Sequence, residues 1–167
     1  MIDVMNGMDG TLYRSIMRHQ AGAVTVIAVG TPGERTGLTA TAVCSLSDDP
    51  PTILACIKRT ASAHDVIGRV RSFSVNLLAT EQQDVAARFS GKTGHRGEDR
   101  FSDAWTTLAS GAPVLEGALA SLDCRLQEQH SFATHTIFIG RVLDGWVRAE
   151  AEPLLYFRGD YWDLINR

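Results

Sequence analysis

The feature that most constrains the fold is an alternating pattern in "TGLTATAVCSLSDDPP", from Thr36 to Pro51. Apolar or small side chains occupy one face of this stretch, whereas hydroxyls dominate the other face. A period of two predicts a β-strand, because successive residues of a strand point to opposite faces. A solvent-facing strand more usually carries Lys, Glu or Arg. The short hydroxyls therefore indicate a surface against which a close-fitting polar ligand lies; they belong to Thr39, Thr41, Ser45 and Ser47.

The composition is that of one globular domain with a substantial core. The chain has 167 residues, of which 44% are apolar and 21% are charged, as in ordinary globular proteins. The net charge of −3 argues against nucleic acid as the main partner, because phosphate binding needs a basic surplus. No apolar run approaches a membrane span, and the N-terminus lacks a signal-peptide pattern. We expect residues 1–10 to form a flexible tail and residues 11–167 to form a single domain.

The sequence lacks the common motifs for metal binding and for several enzyme classes. The five histidines have no zinc-site spacing, so we expect no structural metal. There is no complete P-loop, no GxGxxG and no GxSxG, which argues against a Rossmann domain and a serine hydrolase. Each of the three cysteines lies in a strand-like run, and none forms a CxxC pair. This pattern predicts buried, reduced thiols in a cytoplasmic protein; the cysteines are Cys44, Cys56 and Cys124.

Strand-like runs follow one another along most of the chain. They include "AVTVIAVG", the hydroxyl stretch, "TILACIK" and "SFSVNLLA", and the last third is also β-rich. Short helices are predicted at "TLYRSIMRHQ", at "RTASAHDVIGRV" and after Thr80, and Ser62 with Asp65 has the spacing of a capping box. Because strands and helices do not alternate regularly, we predict a mainly β protein. Its core would be a six- to seven-stranded antiparallel barrel with a few peripheral helices.

The segment "CIKRTASAH" is a candidate anion site. Lys58 and Arg59 close a strand, and Thr60 and Ser62 open a helix whose unpaired N–H groups attract negative charge. The alternative is a capped helix beside two solvated charges. Since the hydroxyl stretch lies just upstream, the two segments together would suit a phosphorylated planar ligand. His135 and the aromatic tail "YFRGDYWDL" fit either structural packing or a binding role.

Several blocks of the sequence resemble a known family. They are "TGLTATAVCSLSDDPPTILACIKRTASAH", "FSVNLLA", "FSGKTG", "SLDCRL", "THTIFIGRV" and "LLYFRGDY", in that order. The chain resembles the small flavin reductases of two-component monooxygenases over about residues 12 to 164. The resemblance implies an FMN-binding split barrel with a Greek-key-type arrangement, normally a homodimer. It also implies reduction of FMN, or possibly FAD or riboflavin, by NADH or NADPH, and release of the reduced flavin to an oxygenase.

The resemblance also suggests which residues form the site. It places Thr39, Thr41, Ala42 and Ser45 near the flavin ring and ribityl chain. Near the phosphate it places Ile57, Lys58 and Ser62, with Phe89 and Ser90 at the edge. Thr134 and His135 map to a pair near the nicotinamide, and His135 would be the catalytic or positioning donor. The tail would cover that side through Tyr156, Arg158 and Gly159, while Asp160 would disfavour the extra phosphate of NADPH and so favour NADH.

Two other functions remain open at the level of sequence. A protein of the same fold could retain its flavin and reduce another acceptor, such as a corrinoid cobalt or ferric iron. A non-catalytic flavin carrier or sensor would use the same binding surface without hydride transfer. Retention of flavin through gel filtration and flavin bleaching by NADH distinguish these functions from a diffusible-flavin reductase.

Overall fold

The fold is described from a computed structural model, which covers residues 7–102 and 104–164. Residues 1–6, most of the predicted tail, therefore lie outside the described residues. Three helices and two short 3₁₀ turns (Thr80–Gln82 and Gly97–Arg100) accompany the strands; the helices are α1 Gly10–Met17, α2 Ser62–Val70 and α3 Gln83–Phe89. The strands are β1 Gly22–Ala23, β2 Thr25–Val29, β3 Thr36–Ala40, β4 Val43–Asp48, β5 Pro51–Lys58, β6 Ser72–Leu77, β7 Trp105–Thr107, β8 Pro113–Leu115, β9 Ala120–Phe132, β10 His135–Val147, β11 Leu155–Phe157 and β12 Asp160–Trp162.

Seven antiparallel strands form the main sheet in the order β3-β2-β6-β9-β10-β5-β4. The strands β3 and β4 lie at opposite ends of this order, although only Thr41 and Ala42 separate them in the chain. The two edges of the sheet must therefore approach each other, which requires the sheet to curl into a barrel. The prediction of a mainly β split barrel is confirmed.

The hydroxyl stretch is not the single strand that its pattern predicted. It forms β3 and β4, with a break at Thr41 and Ala42, and each half pairs with a different neighbour. The alternation of side chains continues across the break, so periodicity alone could not reveal this corner. The hairpin between β4 and β5 does form as expected, with Val43 opposite Ala55.

The core has two clusters of buried side chains. One fills the barrel with residues such as Phe73, Phe138 and Ile57, and it is closed by Ala63 and Ile67 of α2. The other lies under α3 and the C-terminal segment and contains Phe89 and Phe101. These clusters fix α2 and α3 against the barrel, and so they position the first residues of α2 beside β3.

Two smaller predictions are wrong. Ser62 does not cap α2: the N-cap is Ala61, without a side-chain hydrogen bond, and Ser62 is the first helical residue. The cysteines are free thiols, but only Cys124 is buried; Cys56 is half-buried and Cys44 is exposed, because β4 is an edge strand with a largely open face. No helix among the described residues is long and apolar enough to cross a membrane.

Candidate functional site

A first cleft follows the end of β3. Hydroxyl and small side chains from the end of β3 form one wall, and two tyrosines from the C-terminal hairpin form the other. The residues that line it are Val24, Thr39, Ala40, Thr41, Ser90, Lys92, Tyr156 and Tyr161. The cleft therefore combines a polar strip with aromatic rings, as a planar heteroaromatic ligand requires.

The hydroxyl of Thr39 is held in a defined orientation. Its Oγ1 donates a hydrogen bond of 2.6 Å to the carbonyl oxygen of Ala86 in α3. Because a hydroxyl has only one hydrogen, Thr39 can only accept a further hydrogen bond from a ligand. Thr41, beyond the end of β3, is exposed. We call Thr39 to Thr41 the β3 strip. It offers a ligand the Thr39 oxygen, an acceptor at a fixed position, and the Thr41 hydroxyl, which can adapt its orientation.

The tyrosine wall is attached to β3 through the short strand β1. Gly22 of β1 pairs with Tyr156, and a Cβ atom added to Gly22 would lie 3.1 Å from the Cβ of Thr41. This close packing explains why a glycine stands at that position. Tyr156 and Tyr161 contact each other edge to face, with ring centroids 5.7 Å apart. Burial raises the pKa of Tyr161, with smaller contributions from Tyr156 and Asp160, so its phenol is a neutral donor.

A second cleft opens where α2 begins. It encloses about 400 Å³, a size typical of small-molecule sites. The Oγ of Ser62 lies 2.7 Å from the Oγ1 of Thr36, so the first turn of α2 is joined to β3. The first N–H groups of a helix lack intrahelical acceptors and favour an anion. The cleft is lined by Gly37, Leu38, Thr60, Ala61, Ser62, Phe89, Ser90, Gly91, Gly94, His95, Arg96, Gly97 and Arg100.

Two arginines give the second cleft its charge, but they have different roles. Arg100 donates hydrogen bonds to the carbonyl oxygens of Gly37 and His95, so it fixes the loop between α3 and β7 against β3. Burial, together with the nearby charge of Arg96, lowers the pKa of Arg100. Arg100 is therefore mainly structural, whereas Arg96 adds positive charge to the cleft wall.

A third cleft lies between α2 and the turn that joins β9 to β10. Lys58 is paired across the strands with His135, and the amide of Arg59 donates a hydrogen bond of 3.0 Å to the carbonyl oxygen of Thr134. The Oγ1 of Thr134 lies 2.8 Å from the Nδ1 of His135. The residues that line this cleft are Lys58, Arg59, Thr60, His64, Asp65, Ala133 and Thr134.

The three clefts are neighbours, and we refer to them together as the groove. Ser90 lines both the first and the second cleft, and Thr60 lines both the second and the third. The groove therefore runs from the tyrosines, past the start of α2, to the turn between β9 and β10. Of the residues expected from the sequence, eight line it: Thr39, Thr41, Lys58, Ser62, Phe89, Ser90, Thr134 and Tyr156.

The other expected residues lie outside the lining of the groove. Ile57 is fully buried, and its side chain packs in the barrel core. Ala42 and Ser45 are exposed at the start of β4, while His135 follows Thr134 at the start of β10. Arg158 and Gly159 form the two-residue turn between β11 and β12, and both have positive φ angles (53° and 92°). Positive φ at both positions is typical of a tight hairpin turn.

Sequence reasoning missed several residues of the groove. Lys92 belongs to the "FSGKTG" block, whose "GKT" does not complete a P-loop. His64 lies within the "CIKRTASAH" block, although no role was assigned to it there. His95 and Arg96 lie in a glycine-rich loop, and only the folded chain shows that this loop reaches α2. No group of three or more potential metal ligands occurs among the described residues.

The groove can hold a ligand with an aromatic ring at one end and an anion in the middle. The ring would lie between the β3 strip and the tyrosines, and the anion would lie at the first turn of α2. A phosphorylated flavin such as FMN has this distribution of chemical groups, so the residues present fit it. The third cleft, with Lys58 and Thr134, would remain for a second ligand beside the first.

Comparisons with known proteins agree with this chemistry. A family model described as "Flavin reductase like domain" matches residues 17–164. The curated protein "FMN reductase (NADH) RutF" of Stutzerimonas stutzeri is 42% identical over 155 residues, which cover 92% of this chain and 88% of that protein. The solved structure "Flavin reductase PheA2 in native state" has a TM-score of 0.87 and 32% identity, and the match covers 95% of this chain and 100% of that chain.

A second solved structure adds a functional context. It is BorF, "the Flavin Reductase Component of a Bacterial Two-Component Tryptophan Halogenase". The match has a TM-score of 0.86 and 34% identity, and it covers 95% of this chain and 100% of that chain.

Proposed function

This chain belongs to the flavin reductase-like domain family and is an NADH-dependent flavin reductase; we propose that it reduces FMN and releases the reduced flavin to a flavin-dependent monooxygenase. The observation that carries this proposal is the row of three neighbouring clefts that make up the groove. It joins a hydroxyl and tyrosine cleft to the start of α2 at Ser62 and then to the turn at Thr134. One groove thus provides adjacent places for a flavin and a nicotinamide nucleotide.

The protein's contribution to the reaction is to position two ligands, because the redox chemistry belongs to the flavin and the nicotinamide. For hydride transfer the nicotinamide ring of NADH, whose phosphates we place in the third cleft, would have to reach the flavin ring. In our proposal Thr39 accepts a hydrogen bond from the flavin, and the first turn of α2 with Ser62 binds the phosphate.

His135 is the residue that we assign to the nicotinamide nucleotide. It is exposed at the start of β10, and its Nδ1 is oriented by the Oγ1 of Thr134 at 2.8 Å. Its other ring nitrogen is therefore available to donate to or accept from a ligand. The cation of Lys58, which pairs with His135 across the strands, would attract the phosphates of NADH.

We propose NADH as the preferred donor over NADPH and FMN as the preferred flavin, with FAD as an alternative. The support for NADH comes from the relative that is named as an NADH enzyme. Asp160 is exposed in the hairpin beside the tyrosine wall, at the far end of the groove from the third cleft, so its carboxylate does not bear on the nucleotide that we place there. The support for FMN comes from the relative that is named as an FMN reductase.

We also propose that the working form is a homodimer. The end of the β9–β10 hairpin is open to solvent from Gln127 to His135, and Phe132 is 83% exposed. A large apolar side chain at such exposure is typical of a surface that another chain covers. The edge strand β4, which β5 separates from β10, carries the exposed Leu46. A cytoplasmic location is part of the same proposal, and it is supported by the three free thiols.

Anaerobic assays test the proposed function. Purified protein is mixed with NADH or NADPH and, in turn, with FMN, FAD or riboflavin, and the loss of oxidised-flavin absorbance is followed. The proposal predicts the highest kcat/KM for the pair of NADH and FMN, and gel filtration should yield protein with little bound flavin. Tight retention of flavin would favour a flavoprotein that reduces another acceptor. The absence of flavin bleaching would instead identify a carrier.

A further inference from the structure

One hydrogen-bonded chain connects α2 to the turn between β9 and β10, and its centre is His64. The Nδ1 of His64 lies 2.6 Å from the Oδ1 of Asp65, and its Nε2 lies 2.8 Å from the Oγ1 of Thr136. Thr136 is fully buried, and its hydroxyl also lies 2.9 Å from the Oγ of Ser131. The imidazole packs edge to face on Phe138, with ring centroids 5.3 Å apart.

The chemistry of these groups determines the direction of the hydrogen bonds. The carboxylate of Asp65 can only accept, so the Nδ1 of His64 must carry a hydrogen and donate it, and in the tautomer with one ring hydrogen that hydrogen is on Nδ1. The Nε2 of His64 is then an acceptor, and the hydroxyl of Thr136 donates to it. The oxygen of Thr136 is left to accept a hydrogen bond from Ser131. All three hydrogen bonds can therefore form at the same time, and the direction of each one determines the direction of the next.

These hydrogen bonds lie between two parts of the groove, the start of α2 and the turn between β9 and β10. His64 lies in the first turn of α2, two residues after Ser62. Thr136 follows Thr134 and His135 directly. The side chain of His64 is only 15% exposed, whereas that of Asp65 is 94% exposed, so the ring is enclosed and its orienting carboxylate lies at the surface. The backbone hydrogen bond from Arg59 to Thr134 closes the same junction.

From this arrangement we infer that His64 is a positioning residue that holds Thr134 and His135 at the nicotinamide end of the groove. The inference rests on the proposed function. It adds to the site a residue, His64, that would not itself contact the reacting atoms of either ligand. Without the hydrogen bond to Thr136, the turn between β9 and β10 would lose its attachment to α2. The nicotinamide nucleotide would then have to order the turn on binding, which weakens its binding.

The test uses matched substitutions in the full-length chain. His64→Ala removes both hydrogen bonds of the ring, and Thr136→Val removes only the hydroxyl that the ring contacts. Thr136→Ser retains this hydroxyl. We expect His64→Ala and Thr136→Val each to raise the KM for NADH about fivefold to tenfold, the equivalent of one hydrogen bond. The kcat and the Kd for FMN should change less than about twofold in both, and Thr136→Ser should keep the wild-type KM.

A second readout does not depend on turnover. Hydrogen–deuterium exchange should accelerate at the amide of Arg59, which is bonded to Thr134, in His64→Ala but not in Thr136→Ser. Equal losses in kcat, KM and FMN binding would show a general structural role and overturn the inference. An unchanged KM and unchanged exchange in both His64→Ala and Thr136→Val would also overturn it. A wild-type protein that does not oxidise NADH would instead refute the proposed function, and exchange at Arg59 would still decide whether His64 holds the turn.

Discussion

Replacing Ser62 by Ala should separate the binding of FMN from the binding of riboflavin. Ser62 is the first residue of α2 and lines the second cleft, where we place the flavin phosphate. Riboflavin has the same ring and ribityl chain but no phosphate. The substitution should therefore weaken FMN binding and leave riboflavin binding nearly unchanged.

The expected magnitude follows from the surroundings of the hydroxyl. A hydrogen bond to a charged group contributes about 1.5–3 kcal/mol. Ser62 is exposed beside an open cleft, so the lower end of that range applies. About 1.5 kcal/mol corresponds to a roughly tenfold increase in the Kd for FMN. The Kd for riboflavin should change less than about twofold, because riboflavin has no phosphate that Ser62 or the first N–H groups of α2 could bind.

The substitution should not perturb the helix itself. Ala61, and not Ser62, occupies the N-cap position, so no capping hydrogen bond is lost. The contact that is lost is between two side chains, the Oγ of Ser62 and the Oγ1 of Thr36, which lie 2.7 Å apart. Ser47→Ala is a matched control, because the Oγ of Ser47, within the part of the chain that the structure describes, bonds only to the nearby backbone of Asp49. It should leave the affinity for both flavins unchanged.

Quenching of free-flavin fluorescence on titration with protein gives both dissociation constants under the same conditions. If Ser62→Ala weakened FMN and riboflavin by the same factor, the phosphate would not lie at the start of α2. If it weakened neither, Ser62 would not contact the ligand.

Three further predictions concern the nicotinamide end, the core and the thiols. His135→Ala should raise the KM for NADH more than the Kd for FMN. NADH kinetics equal to those of the wild-type protein would show that His135 is not part of the site. Gly140→Ala should destabilise the fold by about 1–3 kcal/mol in urea unfolding, because the added Cβ would lie 2.6 Å from the Cζ of Phe73; unchanged stability would contradict this packing. Under native conditions Cys44 should react with maleimide while Cys124 does not, since burial raises the pKa of Cys124 to about 12; equal labelling would refute this difference.

The sequence predicts the strands of this fold well, because most of them carry their own pattern. "TILACIK" becomes β5, where Ile53, Ala55 and Ile57 are buried and the residues between them are less so. The alternation also identified the hydroxyl residues of the β3 strip. It did not show the corner at Thr41 and Ala42, because a bend that closes a barrel changes the partner of a strand without interrupting its alternation.

The site was predictable where its residues belong to one or two neighbouring segments. Lys58 is the last residue of β5 and Ser62 comes four residues later, at the start of α2. Thr39 lies in the stretch whose hydroxyls indicated a ligand. Arg96, in the loop after α3, and Tyr161, in β12, reach the groove from distant parts of the chain. Such long-range contacts leave no local pattern. The pairing of His64 with Thr136, 72 residues away, is a further example.

The most direct test of the account is a crystal structure of the protein with FMN. The account predicts the flavin ring between the hydroxyl side chains of β3 and the tyrosines of the C-terminal hairpin, beside Thr39 and Tyr156. The phosphate should lie at the first turn of α2, within hydrogen-bond distance of Ser62. A flavin bound elsewhere, or a ring in this cleft whose phosphate points away from α2, would contradict the account.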